Sequence, residues 1–122
     1  MAREPDIEVA YLFGSRVGQG PRPESDLDLA VVFSSKLGLE ERFWRRVELR
    51  ESLAEELSMP VDLIDLAAVP PHLGQEVLLT GALLLCKDDD LRVATEVKIR
   101  QDYDDIAIYR NYYRREVLGL DG

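Results

Sequence analysis

The sequence predicts a small α/β fold, with helices packed on a mixed sheet of about four strands and a long helix at the C-terminus. Three observations predict it. Two apolar runs near the start, 7–13 and 27–33, lack the strict alternation of a half-exposed strand, as expected when both faces are covered. From Leu39 onward, stretches with apolar residues at helical spacing take turns with short β-type runs. The resulting order, strand, strand, helix, strand, helix, strand, helix, is that of a layered α/β domain.

The first strand stops at Gly14-Ser15, and a loop carrying Gly18, Gly20, Pro21 and Pro23 leads into the second. That strand opens with Ser25-Asp26-Leu27-Asp28-Leu29. Side chains alternate along a strand, so Asp26 and Asp28 point to one side while Leu27 and Leu29 face the other. Ser34-Ser35 and Gly38 then break the strand. Over 39–57 the spacing is helical, with Leu39, Phe43, Val47, Ala54 and Leu57 on one stripe and Leu53 at its edge. Phe43 and Trp44 are expected to pack in the core or on the helix flank. Arg50 falls within the stripe and is expected to snorkel. Pro60 ends this helix, because a proline disfavours helical geometry in the residue before it.

Val61 to Leu66 is a short strand, expected to lie parallel to an earlier one. Pro71 suits a first helical turn, and Leu73, Val77 and Leu78 form a stripe closed by Gly81. Ala82 to Cys86 reads as a fourth strand in the core, with Cys86 an inert buried thiol. Asp88, Asp89 and Asp90 favour a helix start. The remaining helix, about 89–118, places Ile99, Tyr103, Ile106, Tyr113 and Val117 on one face. A single domain over 1–122 is expected, with its core at about 7–86.

Composition narrows the functional classes. At 122 residues with 46% hydrophobic and 32% charged content, the chain suits one soluble domain. No apolar run approaches the roughly 18 residues that span a bilayer, and Ala2-Arg3-Glu4-Pro5-Asp6 does not resemble a signal peptide. One cysteine fits a reducing compartment, so the expected location is the cytoplasm, without membrane contact. A net charge of −9 disfavours direct nucleic-acid binding. Twelve of the fifteen cations are arginines, many within 42–50 and 100–115, which leaves room for a phosphate ligand or a chosen protein partner.

The chemistry concentrates at the first turn. Backbone N–H groups and a hydroxyl at Gly14-Ser15 offer an anion site. Gly14 would let the backbone approach phosphates, Ser15 would hold a phosphate oxygen, and Arg16 could meet the departing β- and γ-phosphates. Asp26 and Asp28 aimed at one point repel unless a cation lies between them. An oxygen-seeking ion such as Mg²⁺, held by carboxylates and phosphate oxygens, is the economical choice. Asp62 is the preferred third acid, within the apolar run Val61-Asp62-Leu63-Ile64. Its role would be to complete a second metal position or to act as general base. Asp65, on the opposite face, is the competitor, but it is nearer the loop at Ala67-Ala68. Neither a Walker phosphate loop nor the dinucleotide fingerprint is present. His72 reads as a surface residue. Tyr109, Tyr112 and Tyr113 with Arg110, Arg114 and Arg115 form either a packed helix end with a solvated rim or a protein-docking face.

Gly14-Ser15, ten intervening residues and Asp26-x-Asp28, followed by Val61-Asp62-Leu63, resemble the signature of the DNA polymerase β-like nucleotidyltransferase superfamily. The short chain is similar to the minimal nucleotidyltransferases. Tyr11-Leu12-Phe13-Gly14-Ser15-Arg16 and Ser25-Asp26-Leu27-Asp28-Leu29 are close to the MntA-type antitoxins of HEPN–MNT modules. The resemblance covers about residues 7–86. It implies that Asp26, Asp28 and Asp62 bind Mg²⁺, with two ions expected, and that the Gly-Ser turn holds ATP. It further implies that AMP passes to a tyrosine of a HEPN ribonuclease toxin, silencing it, in a possible hetero-oligomer. The alternatives are an antitoxin that neutralises by contact alone and transfer to a small molecule.

Overall fold

The structure, a computed structural model, describes residues 4–14 and 27–119. Strands β1 (Ile7–Phe13), β2 (Leu27–Phe33), β3 (Val61–Asp65) and β4 (Ala82–Cys86) form one sheet in the order β3-β2-β1-β4. The sheet is mixed as expected: β1 runs antiparallel to β2 and β4, and β2 runs parallel to β3. A parallel pair needs a crossover, and helix α1 (Leu39–Leu57) supplies it. Helices α2 (Pro71–Thr80) and α3 (Asp89–Tyr112) follow on the other side.

Each face of the sheet has its own apolar layer. Ile7, Ala10, Leu29, Val31, Phe33, Val61 and Leu63 pack against Leu49 and Leu53 of α1. Val9, Tyr11, Phe13, Ala30 and Val32 pack with Leu66, with Val77 of α2 and with Ile99 of α3. A register irregularity between Ile7 and Val9 shifts the alternation of β1, so that Ala10 joins Ile7 on the α1 side. Gly74 allows α2 and α3 to approach closely, since a Cβ there would lie 3.0 Å from Cγ2 of Ile99.

The helix termini follow local chemistry. The N–H of Gly38 donates to Oε1 of Glu41 at 3.1 Å, and α1 ends at Ser58 in the left-handed conformation, φ 53°, ahead of Pro60. The N–H of Leu91 donates to the Asp88 carboxylate at 3.0 Å, capping α3.

Three expectations are corrected. The inward stripe of α1 is rotated from the one predicted, because its buried apolar residues are Leu49 and Leu53 while Leu39, Phe43 and Leu57 are exposed. Arg42, Arg45 and Arg46 occupy inward or flanking positions instead, and each meets an oxygen: Asp65, Glu4 and Asp6, and the carbonyl of Leu63. Trp44 packs on the helix flank, edge-on to Phe43 at 5.1 Å, which is one of its two expected placements. Strand β4 lies at the sheet edge, leaving Leu83 and Leu84 exposed and Cys86 only half-buried, its thiol donating to Asp89 at 3.2 Å. The final helix is not uniformly α, since Tyr113–Val117 forms a π-helical turn. Exposure of His72 agrees with expectation.

Candidate active site

The C-terminal end of β1 and the starts of β2 and β3 meet at one end of the sheet. Phe13 pairs with Asp28, and Asp28 pairs with Asp62 across the parallel strands. Neighbouring strands lie about 4.8 Å apart, and paired residues project to the same face. Asp28 and Asp62 therefore stand side by side, aligned with Ala30 and Ile64 on the α2–α3 side of the sheet. Asp28 is half-buried and Asp62 exposed. Such burial leaves Asp62 reachable by a ligand from solvent.

Gly14 closes the group. Its φ is +81°, a conformation that side-chain-bearing residues rarely adopt, and a Cβ built there would lie 2.1 Å from Oδ2 of Asp28. The bend and the carboxylate thus occupy adjoining space, and only glycine allows both. Of the other predicted site residues, Ser15, Arg16 and Asp26 lie outside the described residues. Among the described residues, no group of three or more His, Cys, Asp and Glu side chains is placed to hold a metal. Two of the three expected acids are placed, and these two converge.

Two oxygen donors from adjacent strands suit a hard divalent cation better than a thiophilic metal. Asp65, the competing acid, points to the α1 side in line with Val31 and Leu63. There it is buried, 3.1 Å from Nε of Arg42, and its Oδ1 accepts the N–H of Ala67 at 3.1 Å. Burial raises its carboxyl above the ordinary range, while Arg42, the Ala67 N–H and Arg46 pull it back. Asp65 thus faces away from Asp28, held by Arg42 and the Ala67 N–H.

Behind the site, the Tyr11 hydroxyl donates to Glu96 of α3 at 2.6 Å, and Arg92 contacts the same carboxylate at 3.3 Å. Burial first, then the bond to Glu96, pushes the phenol well above its ordinary value. This tie joins α3 to the strand that ends at Gly14. Sequence reading assigned Tyr11 no role. The available signal was a tyrosine inside an otherwise apolar strand, because a buried phenol requires a polar partner. The partner's identity was not available, since Glu96 lies 85 residues further on. Two grooves flank α1, one at Leu37 to Glu48 and one between Arg42, Phe43 and Asp65. Strand register locates the carboxylate pair.

Comparison with known proteins agrees with this geometry. The model of the family described as polymerase beta, nucleotidyltransferase, matches residues 1–90. The protein adenylyltransferase MntA of Shewanella oneidensis is 32% identical over 99 residues, 80% of this chain and 68% of that protein. A crystal structure of a toxin–antitoxin with AMP-PNP superposes with a TM-score of 0.71 at 31% identity, covering 93% of this chain and 88% of the other. The MNT antitoxin in complex with tri-AMPylated Shewanella oneidensis HEPN toxin gives a TM-score of 0.67 at 28% identity, covering 93% and 85%.

Proposed function

Because this chain belongs to the polymerase beta nucleotidyltransferase family, we propose that it is a protein adenylyltransferase acting as an antitoxin. In this reading it moves AMP from ATP to a tyrosine hydroxyl of a HEPN toxin. The observation that carries the reading is the pairing of Asp28 with Asp62 beside the Gly14 bend. Similarity to MntA, and to antitoxins solved with AMP-PNP and with an AMPylated HEPN toxin, supports both nucleotide and acceptor.

The roles of the residues follow from their chemistry. Gly14, without a side chain, lets the main chain come close to the triphosphate. Ser15 contributes a hydroxyl donor, and Arg16 a fork of N–H donors suited to the leaving pyrophosphate. Asp26, Asp28 and Asp62 would hold Mg²⁺, which when bound would neutralise phosphate charge and favour the acceptor as an oxyanion. The exposure of Asp62 supports either of two roles for it, completing a second metal position or serving as general base towards the acceptor hydroxyl. The Tyr11–Glu96 tie holds the strand that leads into the bend. Among the described residues no helix is long and apolar enough to cross a membrane, and a cytoplasmic site of action fits this reading.

The test is transfer of label from α-labelled ATP to the toxin with Mg²⁺ present. Label should reach the toxin with the wild type and be lost with Asp28→Asn and with Asp62→Asn. Silencing of the toxin by both variants, without label, would replace transfer with neutralisation by contact.

A further inference from the structure

The C-terminal half of α3 has an apolar stripe that none of the described residues covers. Ile99 is the last residue of this helix buried in the body, against Gly74. Beyond it the helix continues to Tyr112 and through the π-turn to Val117, about 27 Å at 1.5 Å per residue. Along that length Tyr103, Ile106, Tyr113 and Val117 are all exposed. Counting from Ile99, the intervals to Tyr103, Ile106, Arg110, Tyr113 and Val117 are four, three, four, three and four. That is the repeat of a helix that packs on another helix by knobs into holes. Arg110 is the polar member of the row. Arg114 and Arg115 follow it, so this end is basic within a chain of net charge −9.

We propose that this stripe is the docking seam for an acid-flanked helix of the protein that accepts AMP, an inference that rests on the function proposed above. The spacing calls for a helix, and the arginines call for carboxylates facing them. A second copy of this chain fits less well. Since Ile99 is already committed to the body, a symmetric antiparallel pair over the remaining positions centres on Arg110. That register sets Arg110 against its own equivalent, and like charges facing each other destabilise such a pair. A partner with a carboxylate at that level has no such conflict. The seam starts at the opposite end of β3 from Asp62, since the helix leaves the body beside Leu66, Ala67 and Val69. Docking and transfer can therefore be perturbed separately.

The experiment measures affinity between this chain and the HEPN toxin used in the transfer assay, without ATP, so that binding is read apart from chemistry. Ile106→Asp and Arg110→Glu should each weaken binding tenfold or more. Asp28→Asn should bind like the wild type. Both positions are exposed, and circular dichroism should show the fold retained. Unchanged affinity in both seam variants overturns the proposal, as does a wild type that does not bind the toxin. A wild-type dimer in sedimentation that Ile106→Asp dissolves also overturns it, because a second copy would then cover the seam. Binding that depends on the seam without any transfer of label would refute the enzymatic reading and uphold the docking site.

Discussion

A side chain at Gly14 cannot coexist with the carboxylate of Asp28 where it stands: the added Cβ would fall 2.1 Å from Oδ2. The positive φ of Gly14 compounds the conflict. Gly14→Ala should therefore displace Asp28 from its place opposite Asp62 and strain the bend. We expect a stability loss of about 1–3 kcal/mol in denaturant titration. AMP transfer should fall by at least about 100-fold, since misplacement by an ångström has that effect. Retained transfer in this variant would show that Asp28 need not lie against the bend.

Asp62 and Asp65, three residues apart, should give opposite results on substitution. Asp62 is exposed and stands opposite Asp28 across the parallel strands. Asp62→Asn should abolish label transfer while leaving stability unchanged or raising it by about 0.2–1 kcal/mol. Asp65→Asn takes the carboxylate from Arg42 and should destabilise by about 1–3 kcal/mol, with transfer retained in the folded fraction. Transfer assays paired with urea titrations separate the two. Equal loss of transfer in both variants would contradict the division of roles.

The opposite facing of Asp62 and Asp65 was legible in the sequence. The period of two along a strand puts Asp62 and Asp65 on opposite faces, and the pairing of Asp28 with Asp62 required only that the crossover over α1 be parallel. Strand and helix limits were legible for the same reason: Gly14, Gly38, Pro60, Pro71 and Gly81 punctuate them. The inward phase of α1 was not legible. Arg42 and Arg46 stand where apolar residues were sought, and they do so because Asp65 and the Leu63 carbonyl wait inside. A charge is recognisable as an inward residue only once its partner is known. Strand order was hidden too. The run Ala82-Leu83-Leu84-Leu85-Cys86 has core composition but lies at the edge, where its apolar excess remains uncovered.

The buried acid has a pH signature. Burial, outweighing the pull of Arg42, the Ala67 N–H and Arg46, raises the Asp65 carboxyl above its unfolded value near about 3.9. The folded state then binds the proton more tightly than the unfolded state. The contribution of Asp65 to stability is accordingly full below about pH 3.9 and declines as pH rises through the folded value. Subtracting the Asp65→Asn profile from that of the wild type should isolate this decline. A difference that grows with rising pH would mean that Arg42 dominates over burial.

Tyr11 carries the remaining link, between α3 and the strand that delivers Gly14. Tyr11→Phe removes the hydroxyl donated to Glu96 at 2.6 Å but keeps the ring among its apolar neighbours. A hydrogen bond to a charged group contributes about 1.5–3 kcal/mol, so a loss of that order is expected in denaturant titration. Glu96 keeps its contact with Arg92, which should hold the loss toward the lower figure. Alkaline titration gives an independent readout. The phenol is raised above its unfolded value of about 10, so its contribution is full below that pH and is lost as pH climbs towards the folded value. The wild type should therefore lose stability above about pH 10 more steeply than Tyr11→Phe. Hydrogen exchange should quicken in the first half of α3, where Glu96 sits, and not in α1, on the opposite face of the sheet. Equal quickening in both helices would mean that the bond supports the whole sheet and not the seating of α3 on β1.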